Sequence, residues 1–207
     1  MSSRAFTKSK PAIGILLMLT ILGSGCGVVK VKKGDSNPGT LQTGRNLGFE
    51  DGEAGDGDPV AWDRRGGDPD SYLFSVDPKV KRSGKSSALI QLKPDVGDSE
   101  GLDTSLIQCI QPESLIGKPF RLSGWIKTDV VEGQGAALWI GTYGSGNSST
   151  GEGWFPAENE WRRGSLDWSL YEAFTEPVQQ LTEKICFGPI LYGSGSAWFD
   201  DLEVLVE

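Results

Sequence analysis

The run FRLSGWIKT at residues 120–128, followed after a Gly-rich step by AALWIGTY at 136–143, decides the fold. In the first run Phe120, Leu122, Gly124 and Ile126 alternate with Arg121, Ser123, Trp125 and Lys127. A period of two is the signature of a strand with one buried face, so the first set points into a core and the second out of it. In the second run Leu138 and Ile140 form the inward set and Trp139 and Tyr143 the outward one. Paired with each other as a hairpin, the two strands place Trp125 and Trp139 on the same outer surface.

Working outward, the same grammar recurs. Residues 72–77, 87–92, 106–111, 168–174, 184–191 and 197–206 are further β-rich runs, and Gly, Pro, Asn or Asp punctuates the gaps. From residue 46 onward no long segment with helical period and caps interrupts them, and no internal repeat is visible. About nine short strands without intervening helices predict an all-β, antiparallel sandwich or barrel.

Composition narrows the function classes. The chain has 207 residues, 29 of them Gly and 11 Pro, with seven Trp, three Cys, no His and a net charge of 20 − 28 = −8. At 37% hydrophobic and 9% aromatic it has enough apolar surface for a core. The absence of histidine removes the commonest general base, the histidine-dependent catalytic triads and the commonest zinc ligand. The acidic balance argues against a nucleic-acid partner, whose phosphates demand Lys and Arg.

Residues 1–25 read as an export signal: Arg4, Lys8 and Lys10 precede an apolar run from Ala12 to Leu22, too short to span a bilayer, and Gly23, Ser24 and Gly25 precede Cys26. The segment Leu22 to Cys26 resembles a bacterial lipoprotein cleavage box, although its Leu stands four rather than three positions before the Cys. That resemblance implies lipidation of Cys26, palmitate among the acyl chains, and a location in the cell envelope. With Gly27 rather than Asp next, it implies the outer membrane of a two-membraned cell. A plain secretory signal, giving a secreted or periplasmic protein, is the alternative. Removing residues 1–25 leaves 207 − 25 = 182 residues and a charge of 17 − 28 = −11. Residues 26–45, rich in Gly, Ser, Thr and Lys, read as anchor and flexible tether, and residues 46–207 as the domain.

Within that domain four segments occur in order: NLGFEDG at 46–52, SGKSSAL at 83–89, GKPFRLSGWIKT at 117–128 and AWFDDLEV at 197–204. Together they resemble the jelly-roll superfamily of carbohydrate-binding modules, also called galactose-binding-like domains. The resemblance implies a jelly-roll β-sandwich of about eight or nine strands. It also implies one structural Ca²⁺ where the first and last strands meet, held by Glu50 and Asp200, with Asp201 as the substitute if the register differs by one. Hard oxygen ligands of this kind suit calcium. The acidic run Asp51 to Asp58 lacks the spacing of an EF-hand and reads as a solvated turn.

Seven Trp in one domain suggest a sugar ligand, because indole rings stack on the apolar CH faces of sugars. Trp125, Trp139 and Tyr143 are candidates by alternation. Trp154 and Trp161, with Phe155, are candidates from the Gly-rich loop 144–165, where Arg162 and Arg163 add charge. Trp168 matches a family position that packs inside, and Trp198 flanks an inward Phe199. Cys109 and Cys186 remain once Cys26 is assigned to lipid. An even pair in an exported protein suggests a disulfide, two separate thiols being the alternative.

The expected function is therefore a non-catalytic, envelope-anchored module that binds carbohydrate or another surface polymer. The competing expectation is a protein-interaction or structural accessory lipoprotein, since the fold serves both. A carboxylate-based glycosidase is a minor third, because no compact acid pair sits on a recognisable strand motif.

Overall fold

The computed structural model describes residues 29–30, 44–52, 55–151, 153–156 and 159–206. The expected signal segment, Cys26 and most of the expected tether lie outside these residues. Among the described residues there are nine strands: β1 (Val29–Lys30), β2 (Gly55–Asp56), β3 (Asp63–Arg65), β4 (Tyr72–Asp77), β5 (Ser87–Leu92), β6 (Asp103–Ile110), β7 (Phe120–Tyr143), β8 (Arg162–Phe174) and β9 (Lys184–Val206). All named strand pairs are antiparallel. No described helix is long and apolar enough to cross a membrane.

β4 and β5 form over the residues that alternation marked, and β6 begins three residues earlier than expected. The hairpin expected between 120–128 and 136–143 does not form. Those runs are one continuous strand, and 184–191 and 197–206 are likewise one strand, paired with it along its whole length. Both strands bend together where Val130, Gly133 and Gly135 on β7 and Gly193 and Gly195 on β9 take left-handed φ. A Cβ at Gly193 would lie 2.0 Å from the Glu132 carbonyl oxygen, so only glycine lets the strands pass the corner in contact.

The bend folds one sheet into two facing layers. The first contains β2, β4, β5, the later half of β9, the first half of β7 and β8; the second contains β3, β6, the early half of β9 and the later half of β7. The halves of β7 face each other: a Cβ at Gly124 would stand 3.2 Å from Leu138 Cδ1, and the Phe120 and Phe187 rings are 5.4 Å apart. Phe74, Ile90, Leu122, Ile126 and Phe199 from the first layer meet Leu106, Leu138, Ile140 and Leu191 from the second in one core. Each fully buried side chain of this size contributes about 1.5–3 kcal/mol.

The NLGFEDG segment closes an end of this core. Asn46 donates from Nδ2 to the carbonyls of Asp51 and Val60 and accepts from the Asp51 N–H, clipping a loop shut. Phe49 then packs against Trp62, which donates from Nε1 to the Asn46 carbonyl. β1 adds to the far edge of β9, with Val29 opposite Val206 and Lys30 opposite Leu205. Cys109 and Cys186 are direct partners across β6 and β9 and form a disulfide, their Cα atoms 4.0 Å apart.

Candidate functional site

The bend separates the aromatics that the hairpin would have gathered. Trp125 lies on the outer surface of the first layer and Trp139 on that of the second, so they do not share a site. On the first layer the Arg82 guanidinium stacks 3.8 Å over the Trp125 ring and also donates to Asp201. Trp168 is half-buried rather than packed inside. The half-buried Trp198 donates from Nε1 to Asp77 Oδ2 at 2.9 Å. Burial raises the Asp77 pKa, but that bond and the N–H groups of Lys79 and Val80 outweigh it and hold the group below its ordinary 3.8.

Glu50, Asp200 and Asp201 do converge, through the loop 82–85. Asp200 is 0% exposed and its Oδ2 accepts the backbone N–H groups of Arg82 and Ser83; Glu50 Oε2 accepts that of Lys85; Asp201 accepts the Arg82 side chain and the Ser83 hydroxyl. Burial pushes the Asp200 carboxyl up, partly offset by those amides. The described residues hold no group of three or more metal-ligating side chains. As arranged, the loop's N–H groups, the Ser83 hydroxyl and a guanidinium donate to these carboxylates.

The second layer's outer face is different. Register places Trp139 opposite Gly188, Gly141 opposite Cys186, Tyr143 opposite Lys184 and Ala137 opposite Ile190. Trp139 is half-buried, and neither Gly188 across from it nor Gly141 beside it puts a side chain on the face. Tyr143 leans in, its hydroxyl 2.6 Å from where a Gly141 Cβ would be. Among the described residues the buried Trp139 Nε1 has no hydrogen-bond partner. Ala137 and Ile190 lie on the outward side yet are buried, at 0% and 5% exposure, an apolar floor that other residues cover and that is continuous with the core.

A run of rings borders that floor: Phe155 to Trp161 at 5.6 Å and Trp161 to Tyr192 at 6.3 Å. Trp161 is 7% exposed and offers little ring to solvent, while Phe155 is 58% exposed. Trp154 is also displaced from its expected role. Its bridge to Ile140 turns it to the inward side, against Tyr171 at 5.7 Å. Across the floor Lys184 Nζ lies 5.4 Å from the Tyr143 ring centroid and donates to Asn147 Oδ1. Two polar clefts flank this end: one of about 720 Å³ lined by Arg45, Asp63, Arg65 and Cys109, the other of about 620 Å³ lined by Gln111, Asn147, Thr182 and Lys184.

This architecture has counterparts among solved structures. The CBM22-1 xylan-binding domain of Paenibacillus barcinonensis Xyn10C superposes with a TM-score of 0.52 at 12% identity, over 77% of this chain and 91% of that one. The fold shared with that domain is an antiparallel jelly-roll β-sandwich. The CBM22-1–GH10 modules of Clostridium thermocellum Xyn10B, complexed with xylohexaose, match this jelly roll at 0.52 and 10% identity, over 78% of this chain and 27% of that one. The enzymatically active domain of tailspike protein 4 from bacteriophage CBA120 matches it at 0.53 and 13% identity, over 80% and 21%. No family model matches the sequence, and no curated protein does.

Sequence reasoning missed Gly188, Gly141 and Tyr192. The first two were legible as glycines within β runs, a sign of close approach or open surface. Tyr192 was not, because its place depends on the bend.

Proposed function

We propose that this jelly-roll domain is a non-catalytic carbohydrate-binding module that holds a glycan against the outer face of its second layer. The observation that carries the reading is the half-buried Trp139 between Gly188 and Gly141, with an apolar floor beneath and an aromatic border beside it. A sugar ring needs an indole face left clear of neighbouring side chains, plus hydroxyl and amide groups around it. Trp139 and the polar cleft lined by Arg45, Asp63 and Arg65 supply both. The likeness in fold to a xylan-binding domain supports the same class of ligand. Trp125 lacks this openness, since Arg82 lies on its ring.

Lipidation of Cys26 would hold this module on the envelope. Acyl chains contribute about 0.8 kcal/mol per buried CH₂, and two or more make stable anchors without a transmembrane helix. Affinity electrophoresis of the full chain through gels containing xylan, β-1,4-galactan, β-1,4-glucan or peptidoglycan fragments tests the binding reading. Retardation by at least one polymer is expected, and free migration through all of them would favour a protein partner instead.

A further inference from the structure

We propose that the end of the sandwich opposite the bend rests on the lipid bilayer, with Phe174 and Leu181 entering the headgroup region. The inference rests on the lipid anchor at Cys26 proposed above. Two residues separate Cys26 from Val29, and three Cα steps reach at most about 11 Å. Val29 is paired to Val206, whose other partner is Phe120, so the anchor leaves the domain at one end of β9 and β7. Lys30, Leu205, Arg121 and Phe174 are successive partners across β1, β9, β7 and β8. At about 4.8 Å per strand, the Phe174 backbone is about 14 Å from that of Lys30.

Two connections close this end: 111–119, from β6 to β7, and 175–183, from β8 to β9. A bridge between Ile116 and Val178 ties them, with the Gly117 N–H donating to the Val178 carbonyl at 2.7 Å and the Val178 N–H to that of Lys118 at 3.0 Å. Two large apolar side chains are exposed here, Leu181 in the second connection and Phe174 as the last residue of β8, on the outward face that also carries Leu166 and Leu170. Leu181 is 76% exposed, the most of any large hydrophobic described, and Phe174 is 59% exposed. Apolar and aromatic side chains at such exposure gain free energy in the interfacial zone of a bilayer, and the anchor already holds them within reach of it.

Exposed Lys118 shares the end with exposed Glu113, Glu176 and Glu183. The contact is therefore carried by the apolar side chains against a net negative charge, and salt, by screening repulsion from anionic lipid, strengthens it. The bend at the opposite end, marked by Val130 at 61% exposure, faces away from the membrane.

The test uses the lipidated full chain in vesicles of phosphatidylethanolamine and phosphatidylglycerol, some with brominated acyl chains. F174C, L181C and V130C each carry one environment-sensitive fluorophore; the native Cys109 and Cys186 are paired and do not react. Lipid quenching several-fold stronger at 174 and 181 than at 130 is expected. Equal quenching at the three sites, or protection of 174 and 181 from both brominated lipid and aqueous iodide, as in a dimer, would overturn the docking face. Flotation separates the two readings: a wild-type chain that does not float with vesicles, like its C26S variant, overturns the anchor and the proposal together. Flotation without quenching overturns the docking face alone.

Discussion

Gly188 stands opposite Trp139 across β9 and β7, and a Cβ built on it would lie 2.0 Å from the Leu106 carbonyl oxygen on β6. The glycine thus lets the β6 backbone approach, with Trp62 Cζ3 3.0 Å from the same built Cβ, and sets no side chain opposite the indole.

Gly188→Ala is therefore a stability variant before it is a binding variant. Clash with a carbonyl in the middle of a sheet costs several kcal/mol, of the order of other severe core lesions. The urea midpoint of G188A is expected to fall clearly below that of wild type. An unchanged midpoint would mean that the β6 backbone shifts without cost.

The Cys109–Cys186 disulfide spans 77 residues of sequence and crosses the candidate face. Closing a loop of that length contributes about 4 kcal/mol in the chain-entropy model. Unfolding followed with and without dithiothreitol is expected to show a loss of that order on reduction.

The pairing of Asp77 with Trp198 predicts a pH dependence. Folding lowers the Asp77 pKa below 3.8, so its stabilisation is present above the unfolded value and is lost as pH falls through the folded one. Asp200 runs the other way: its raised pKa means that the folded state holds the proton more tightly, so its contribution falls as pH rises through the window above 3.8. In thermal melts between pH 2 and 7, D77N should flatten the acid limb, whereas D200N should lessen the decline above pH 4 at the cost of three amide bonds to a carboxylate.

Calcium addition or chelation is expected to leave the melting temperature unchanged, because amides and Arg82 already satisfy Glu50, Asp200 and Asp201. A calcium-dependent rise would show that the loop 82–85 yields its place to the ion.

Strand identity was legible in the sequence because alternation is a local property. β4 and β5 fall on the marked residues, Cys186 turns away from Ile185 and Phe187 as alternation required, and the ordered motifs announced the jelly roll. What alternation cannot carry is the path of a strand that bends. The Gly-rich step 129–135 looked like a turn between two strands, and only its pairing with Gly193 and Gly195 shows one strand turning a corner. That error moved Trp125 to the wrong layer. The inward direction of Trp154 was hidden for a related reason: its loop folds back as an extra edge beside Ile140, a long-range bridge that alternation does not carry.

The most direct test is calorimetric titration of the full chain with whichever polysaccharide retards it, comparing W139A with W125A after circular dichroism confirms both folds. Loss of one stacking indole should weaken binding about tenfold or more for W139A, and W125A should stay within about twofold of wild type. Undiminished binding by W139A, or a larger loss in W125A, would contradict the assignment of the glycan to the second layer.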